Sequence, residues 1–333
     1  MSDMEKLFGV AETPVDTERA LARIRERLER ERVTPVVRQA PRVPRAVVSI
    51  WVKGLAAAAS VALVAVLLTA SGLAETILTI FEPKQVVAVP ITTTDIANAA
   101  NGLGSYGTLE WSTQPKPYDV PDLVTAARES GLAVLAPSQL PAGVSVATAR
   151  YGVMPKTTAT FTFSAQKTQD SAARLGRTPP PMPANIDGSK LFITGGPAVV
   201  QYFEDGTQPK ASTADAFANI PKLIVAQGRA PLVQSDGVTV EQLQQYLLAQ
   251  PGITPQLAAQ IRAIKDPSST LPIPIPVDMA TSKNVTVQGA PAVFVGDSTG
   301  LGSAVIWQKG GIVYGVAGTL SEAEIMAVAN SLH

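Results

Sequence analysis

From Gly54 to Ala74 the chain reads GLAAAASVALVAVLLTASGLA, 21 residues without a charge. As a helix rising about 1.5 Å per residue it is ~31 Å long, the thickness of a bilayer's hydrocarbon core. Uncharged runs near this length are rare inside soluble folds, so the stretch reads as one transmembrane helix. A cleaved signal peptide, using Gly72-Leu73-Ala74 as its small-residue site, is the competing reading. Against it stands a polar segment of 53 residues upstream, far longer than such a leader carries.

The flanks orient the span. Arg38, Arg42, Arg45 and Lys53 precede it, and Lys84 is the one basic residue in the twenty that follow, near Glu75 and Glu82. Positive flanks stay inside, which predicts a cytoplasmic N-terminus and an extracytoplasmic C-terminal region in the cell membrane. Residues 1–53 carry 11 basic and 8 acidic side chains, while the whole chain balances 27 against 27. The region beyond the span is therefore slightly acidic, a poor surface for nucleic acid, and no nucleic-acid partner is expected.

Composition narrows the chemistry. The chain has no cysteine, and its single histidine is the last residue, His333. Thiol catalysis, disulfides, Ser-His-Asp triads and histidine-rich metal sites are all disfavoured. No pair of carboxylates stands out, so no catalytic, cofactor-binding or metal-binding residue is assigned and an enzyme is not expected.

Four segments follow. Residues 1–53 form a short cytoplasmic piece in which Asp16 or Thr17 caps a helix to about Arg32. Its Leu21, Ile24 and Leu28 make one narrow apolar stripe, a candidate face for a cytoplasmic protein partner. Residues 54–74 are the span, and 75–120 read as a juxtamembrane stalk with one strand at Val86–Val89. Within it Gly102-Leu103-Gly104-Ser105-Tyr106-Gly107 has the G-x-G-x-x-G form. It lacks the preceding strand and following helix of a dinucleotide loop and reads as a turn.

Residues 121–333 read as an α+β domain. A short helix over 121–130 is followed by strands at 144–153 and 157–163. In the second, Thr157, Ala159, Phe161 and Phe163 alternate with threonines. A polar helix over 164–175 precedes strands at 190–194, 199–204 and 223–227. Helices at 239–249 and 254–265 form a hairpin with Thr239 and Thr254 as caps. Its Gln250-Pro251-Gly252-Ile253-Thr254 partly resembles a DNA-binding helix-hairpin-helix, with Thr254 where the second glycine belongs. In Leu271–Val277 the alternate prolines 272, 274 and 276 remove donors from one side, the mark of a protected edge strand. A strand-like stretch over 285–295 is broken at 289–291. A hairpin about Lys309-Gly310-Gly311 sets Trp307 opposite Tyr314, as core aromatics or the lining of an apolar groove. Ser321 and Glu324 then open an amphipathic C-terminal helix.

The stretch Leu135–Val144, LAPSQLPAGV, resembles the "PsyLPaGy" opening of domain of unknown function 4367. Val305–Gln308, Gly311–Tyr314 and Ser321–Leu332 resemble its end. The resemblance covers the two ends of residues 120–333 and leaves about 165–284 as an insertion. It implies the outer domain of a single-pass bacterial protein resembling anti-sigma factors, with an antiparallel curved sheet and packed helices similar to the lipoprotein-carrier fold. It implies no catalytic residues. Residues 1–53 lack the His-x3-Cys-x2-Cys zinc motif common in anti-sigma factors, so a sigma factor would have to dock on the zinc-free helix 16–32. The resulting expectation is a membrane-anchored regulatory or sensory protein that binds an apolar ligand or a protein outside. The alternative is a tethered carrier or chaperone for a lipid or lipoprotein chain.

Overall fold

The computed structural model describes residues 77–95, 103–204, 221–298, 300 and 302–333. The expected cytoplasmic helix with Leu21, Ile24 and Leu28, and the expected span 54–74, lie outside the described residues. No helix among the described residues is long and apolar enough to cross a membrane. The fold is α+β and its sheets are mostly antiparallel.

The strands are β1 (Leu78–Phe81), β2 (Gln85–Ile91), β3 (Gly107–Thr113), β4 (Tyr118–Val120), β5 (Arg150–Met154), β6 (Thr157–Phe163), β7 (Lys190–Gly195), β8 (Ala198–Phe203), β9 (Leu223–Arg229), β10 (Leu232–Ser235), β11 (Thr270–Pro276), β12 (Ala280–Val287), β13 (Ala290–Asp297), β14 (Ser303–Lys309) and β15 (Ile312–Gly318). The α-helices are α1 (Leu123–Ser130), α2 (Ala165–Arg174), α3 (Val240–Leu248), α4 (Pro255–Arg262) and α5 (Glu322–Asn330). Each starts at a side-chain cap: Asp122, Ser164, Thr239, Thr254 and Ser321. The boxes expected at Thr239/Gln242 and Ser321/Glu324 are both closed reciprocally.

An eight-stranded antiparallel sheet runs β12-β13-β14-β15-β9-β8-β5-β4, and a five-stranded one runs β1-β10-β7-β6-β3. At three places a two-residue corner carries the chain from one sheet to the other: Pro155-Lys156, Gly196-Pro197 and Ala230-Pro231. Residues of equal parity enter different cores on either side of these crossings. Val153 and Val199 pack with α1 residue Ala126, whereas Phe161 and Leu191 join the core between the sheets. Val225 and Val233 divide in the same way. Strands that change sheet at a corner must slip their alternation, and proline and glycine supply the bend.

Helices α1 and α5 cover one face of the eight-stranded sheet. Over β12–β15 the opposite face contributes Val293, Val295 and Ile306 to the main core, together with Phe161 and Leu191 of the five-stranded sheet, Leu243 and Leu247 of α3, and Ile261 of α4. Strands β2 and β11 complete this core as a parallel pair. The proline strand is thus an edge, as its sequence indicates. The Val277 N–H donates to Ile91 O (3.0 Å), so residues of the other parity, the three prolines, face outward.

Two expectations change. The described residues of the expected stalk, 77–95 and 103–120, are part of the fold. β1 pairs β10, β2 pairs β11 and β3 pairs β6, with Ile80, Phe81, Val86, Val89 and Ile91 all buried. Short strands of this kind are ordered only by distant partners, which local patterning does not reveal. Nor is 165–284 an appended insertion, because β8 and β9 lie inside the eight-stranded sheet, between β5 and β15.

Candidate functional site

Trp307 and Tyr314 are register partners on β14 and β15, stacked with centroids 5.2 Å apart and planes 13° off parallel. Both lie on the face covered by α5. Trp307 is 1% exposed, packed among Val305, Val316, Ile325 and Val328. Its Nε1–H finds no protein acceptor. Tyr314 is half-buried at the margin, and that burial pushes its phenol above the ordinary range. Trp307 is thus part of the core beneath α5, and Tyr314 packs at its margin.

On the same covered face two buried glutamines grip the chain entering the domain. Gln201 Nε2 on β8 and Gln227 Nε2 on β9 both donate to Leu135 O, at 2.7 and 2.8 Å, and the Leu135 N–H donates to Gln227 Oε1 at 3.0 Å. Leu135 thereby crosses an apolar face with both backbone groups satisfied. Beyond it the chain meets its own C-terminus: Ala136 and His333 exchange backbone bonds of 3.1 and 3.2 Å, and Pro137 bridges Leu332. Sequence inspection missed the glutamines. Their only signal was a polar residue at an inward position of an otherwise apolar strand.

The opposite face of β5, β8, β9 and β15 is the candidate site. Burial alternates residue by residue along β8 and β9, and the less buried set is Ala198, Val200, Tyr202, Ile224, Ala226 and Gly228. Across the ladders one row runs Gly152–Val200–Ala226–Gly315 and the next Arg150–Tyr202–Ile224–Ala317. Small residues make this a shallow apolar shelf, and a Cβ added at Gly315 would meet nothing within 4 Å. At one end the Arg150 guanidinium lies 5.6 Å from the Tyr202 ring centroid and pairs with Glu204 at 2.8 Å. Burial, then the charge of Asp119, pushes the Tyr202 phenol up, against the opposing effect of Arg150.

All four strands have a neighbour on each side, so their backbone groups are consumed in the ladders. The side chains of the two rows offer no carboxylate and, apart from Tyr202, no hydroxyl. Chemically the centre of such a face can bury apolar surface, with Arg150 and Tyr202 as its polar margin. Among the described residues no group of three or more His, Cys, Asp or Glu is placed to hold a metal ion.

The other motifs have structural roles. Leu103–Ser105 form a single 3-10 turn leading into β3, and a Cβ at Gly107 would overlap Thr162 O on β6. That glycine serves strand packing; no helix follows to receive a phosphate. In the α3–α4 hairpin the Asp95 carboxylate accepts from Thr254 Oγ1 at 3.0 Å, beside the start of α4. A carboxylate stands where a nucleic-acid phosphate would have to approach. No family model, no curated protein and no solved structure matches the chain.

Proposed function

We propose that this chain is a membrane-anchored regulatory or sensory protein, anti-sigma-factor-like in organisation. In this reading 54–74 is its single span, residues 1–53 are cytoplasmic, and the α+β region is an extracytoplasmic binding domain similar to the lipoprotein-carrier fold. The observation that carries it is the half-buried apolar shelf of β5, β8, β9 and β15, which suits an apolar ligand or the apolar patch of a protein. Inside, the helix 16–32 with Leu21, Ile24 and Leu28 would face a sigma factor or another cytoplasmic protein. The alternative, a tethered carrier or chaperone for a lipid or lipoprotein chain, is favoured by the apolar centre of the same shelf, Val200, Ile224 and Ala226.

Purification of the full chain in mild detergent, followed by solvent extraction and mass spectrometry, separates the two. Stoichiometric co-purified lipid that is lost on Ala226→Glu supports the carrier. A lipid-free protein that retains a cytoplasmic partner, and loses it when Ile24→Asp disrupts the apolar stripe, supports the regulator. If neither lipid nor partner is retained, both readings fail.

A further inference from the structure

We infer that the end of the five-stranded sheet at which β1 begins is held against the lipid surface, so that the domain sits on the bilayer instead of standing away from it. This rests on reading 54–74 as the membrane span, and it is set by the length of chain left between span and fold. The uncharged run ends at Ala74 and β1 begins at Leu78. Four residues at about 3.3–3.6 Å each allow at most ~14 Å, even fully extended. A folded domain tethered so closely has one rim facing the membrane, and the β-ladders identify it.

Leu78 pairs Ser235, Ser235 pairs Leu191, and Leu191 pairs Phe161. The loops beyond this row, around Asp187, Lys190 and Gly237, therefore share the rim with Ile77. Ile77 is the described residue nearest the run, and it is 57% exposed. Its side chain is left in solvent by the fold and is the right kind to enter the headgroup boundary.

Charge does not create the contact. The exposed charged residues around the rim are Lys167, Lys190, Asp187, Asp236 and Glu241, two positive and three negative. Two of the carboxylates are engaged by backbone: Asp236 Oδ1 accepts from the Lys190 N–H at 2.7 Å, and Asp187 Oδ1 from the Ala165 N–H at 2.8 Å. A rim of this balance has no net attraction for anionic headgroups. The tether and Ile77 hold it, so contact is independent of salt and of lipid charge.

The chain contains no cysteine, so single-cysteine labelling has no background. Gly237→Cys places a probe on the rim, where an added Cβ meets nothing within 4 Å. Val146→Cys places one at the far end of the eight-stranded sheet. Val146 is 60% exposed, and Thr148 of the same turn bonds Glu204 O, past the end of β8. The full chain carrying a bimane probe is reconstituted into phosphatidylcholine vesicles bearing a headgroup nitroxide, with and without phosphatidylglycerol. We expect the Gly237→Cys probe to be quenched several-fold more than the Val146→Cys probe, unchanged by high salt or by phosphatidylglycerol. Equal or reversed quenching in protein that floats with the vesicles overturns the proposed orientation. Quenching at the rim that disappears in high salt overturns the tether as its cause. A chain that does not float removes the span itself, and with it the proposal.

Discussion

At the scale of single residues, buried polar groups decide which distant segments meet. Gln201 and Gln227 do this for Leu135 on the covered face of the large sheet. Asp95 does it on the other side of the molecule, accepting from the Thr92 N–H at 2.8 Å, Thr92 Oγ1 at 2.7 Å and Thr254 Oγ1 at 3.0 Å. Burial by itself would raise its pKa, but the hydrogen bonds from Thr92 and Thr254 outweigh it and hold the carboxyl below the ordinary range. A depressed folded-state pKa contributes stability that is present above the unfolded value of about 3.9 and is lost as pH falls through the lower folded value. Asp95→Asn should therefore lower stability at neutral pH by roughly 1–3 kcal/mol, the scale of hydrogen bonds to a charged group. The deficit should begin to shrink as pH drops below about 4, where the unfolded chain's carboxyl takes up a proton, and should go on shrinking until pH passes the lower folded value. Urea unfolding midpoints from pH 7 down to pH 3 check this; a deficit constant with pH would refute it.

At the scale of elements, five of the sheet edges are blunted by short length, charge, register shifts or proline. β4 has only three residues, β12 carries Lys283 paired with Glu322 at 2.8 Å, and β1 and β3 each have a register shift. β11 relies on its prolines, with Pro272 buried and Pro274 half-buried along the outward side. An N–H at either place would lack a strand partner. Pro274→Val should restore an outward donor without disturbing the pairing to β2, and the variant should aggregate faster than the parent on incubation, followed by light scattering. Unchanged aggregation would mean that neighbouring structure, not the missing donors, protects this edge. The β12–β13 hairpin shows where local reading falls short. Its turn is Gln288-Gly289, with φ of 49° and 79°, where the usual residue pair is Asn-Gly. Gln288 is held there by the end of α5: its Nε2 donates to Leu332 O at 2.7 Å, and its N–H to Asn330 Oδ1 at 3.0 Å. Nothing within 285–295 alone could reveal that support.

At the scale of the whole molecule, residues 78–91 are part of the core and not a leader to it. Ile80, Phe81, Val86, Val89 and Ile91 are each no more than 8% exposed. Each such side chain contributes about 1.5–3 kcal/mol on burial, against a total stability of roughly 5–15 kcal/mol. Deleting 78–91 should abolish the cooperative thermal melt of the domain, measured by circular dichroism. A retained melt near the parent temperature would show that β1 and β2 are dispensable. The uncharged run, the capped helices α3 to α5, the alternation of β6, the hairpin of β14 and β15 and the proline edge were all legible in the sequence. Each is a local regularity: a period, a cap, a turn or a missing donor acting within one or two turns of chain. Sheet membership was not legible. That β2 pairs in parallel with β11 across some 185 residues, that β8 and β9 sit centrally, and that three strands change faces at their corners depend on partners remote in sequence. The candidate shelf shares this origin. Ala198–Phe203 is apolar at nearly every position, so its sequence cannot say which face is covered; only the packing of α1, α5 and the Leu135 segment on one side leaves the other less buried.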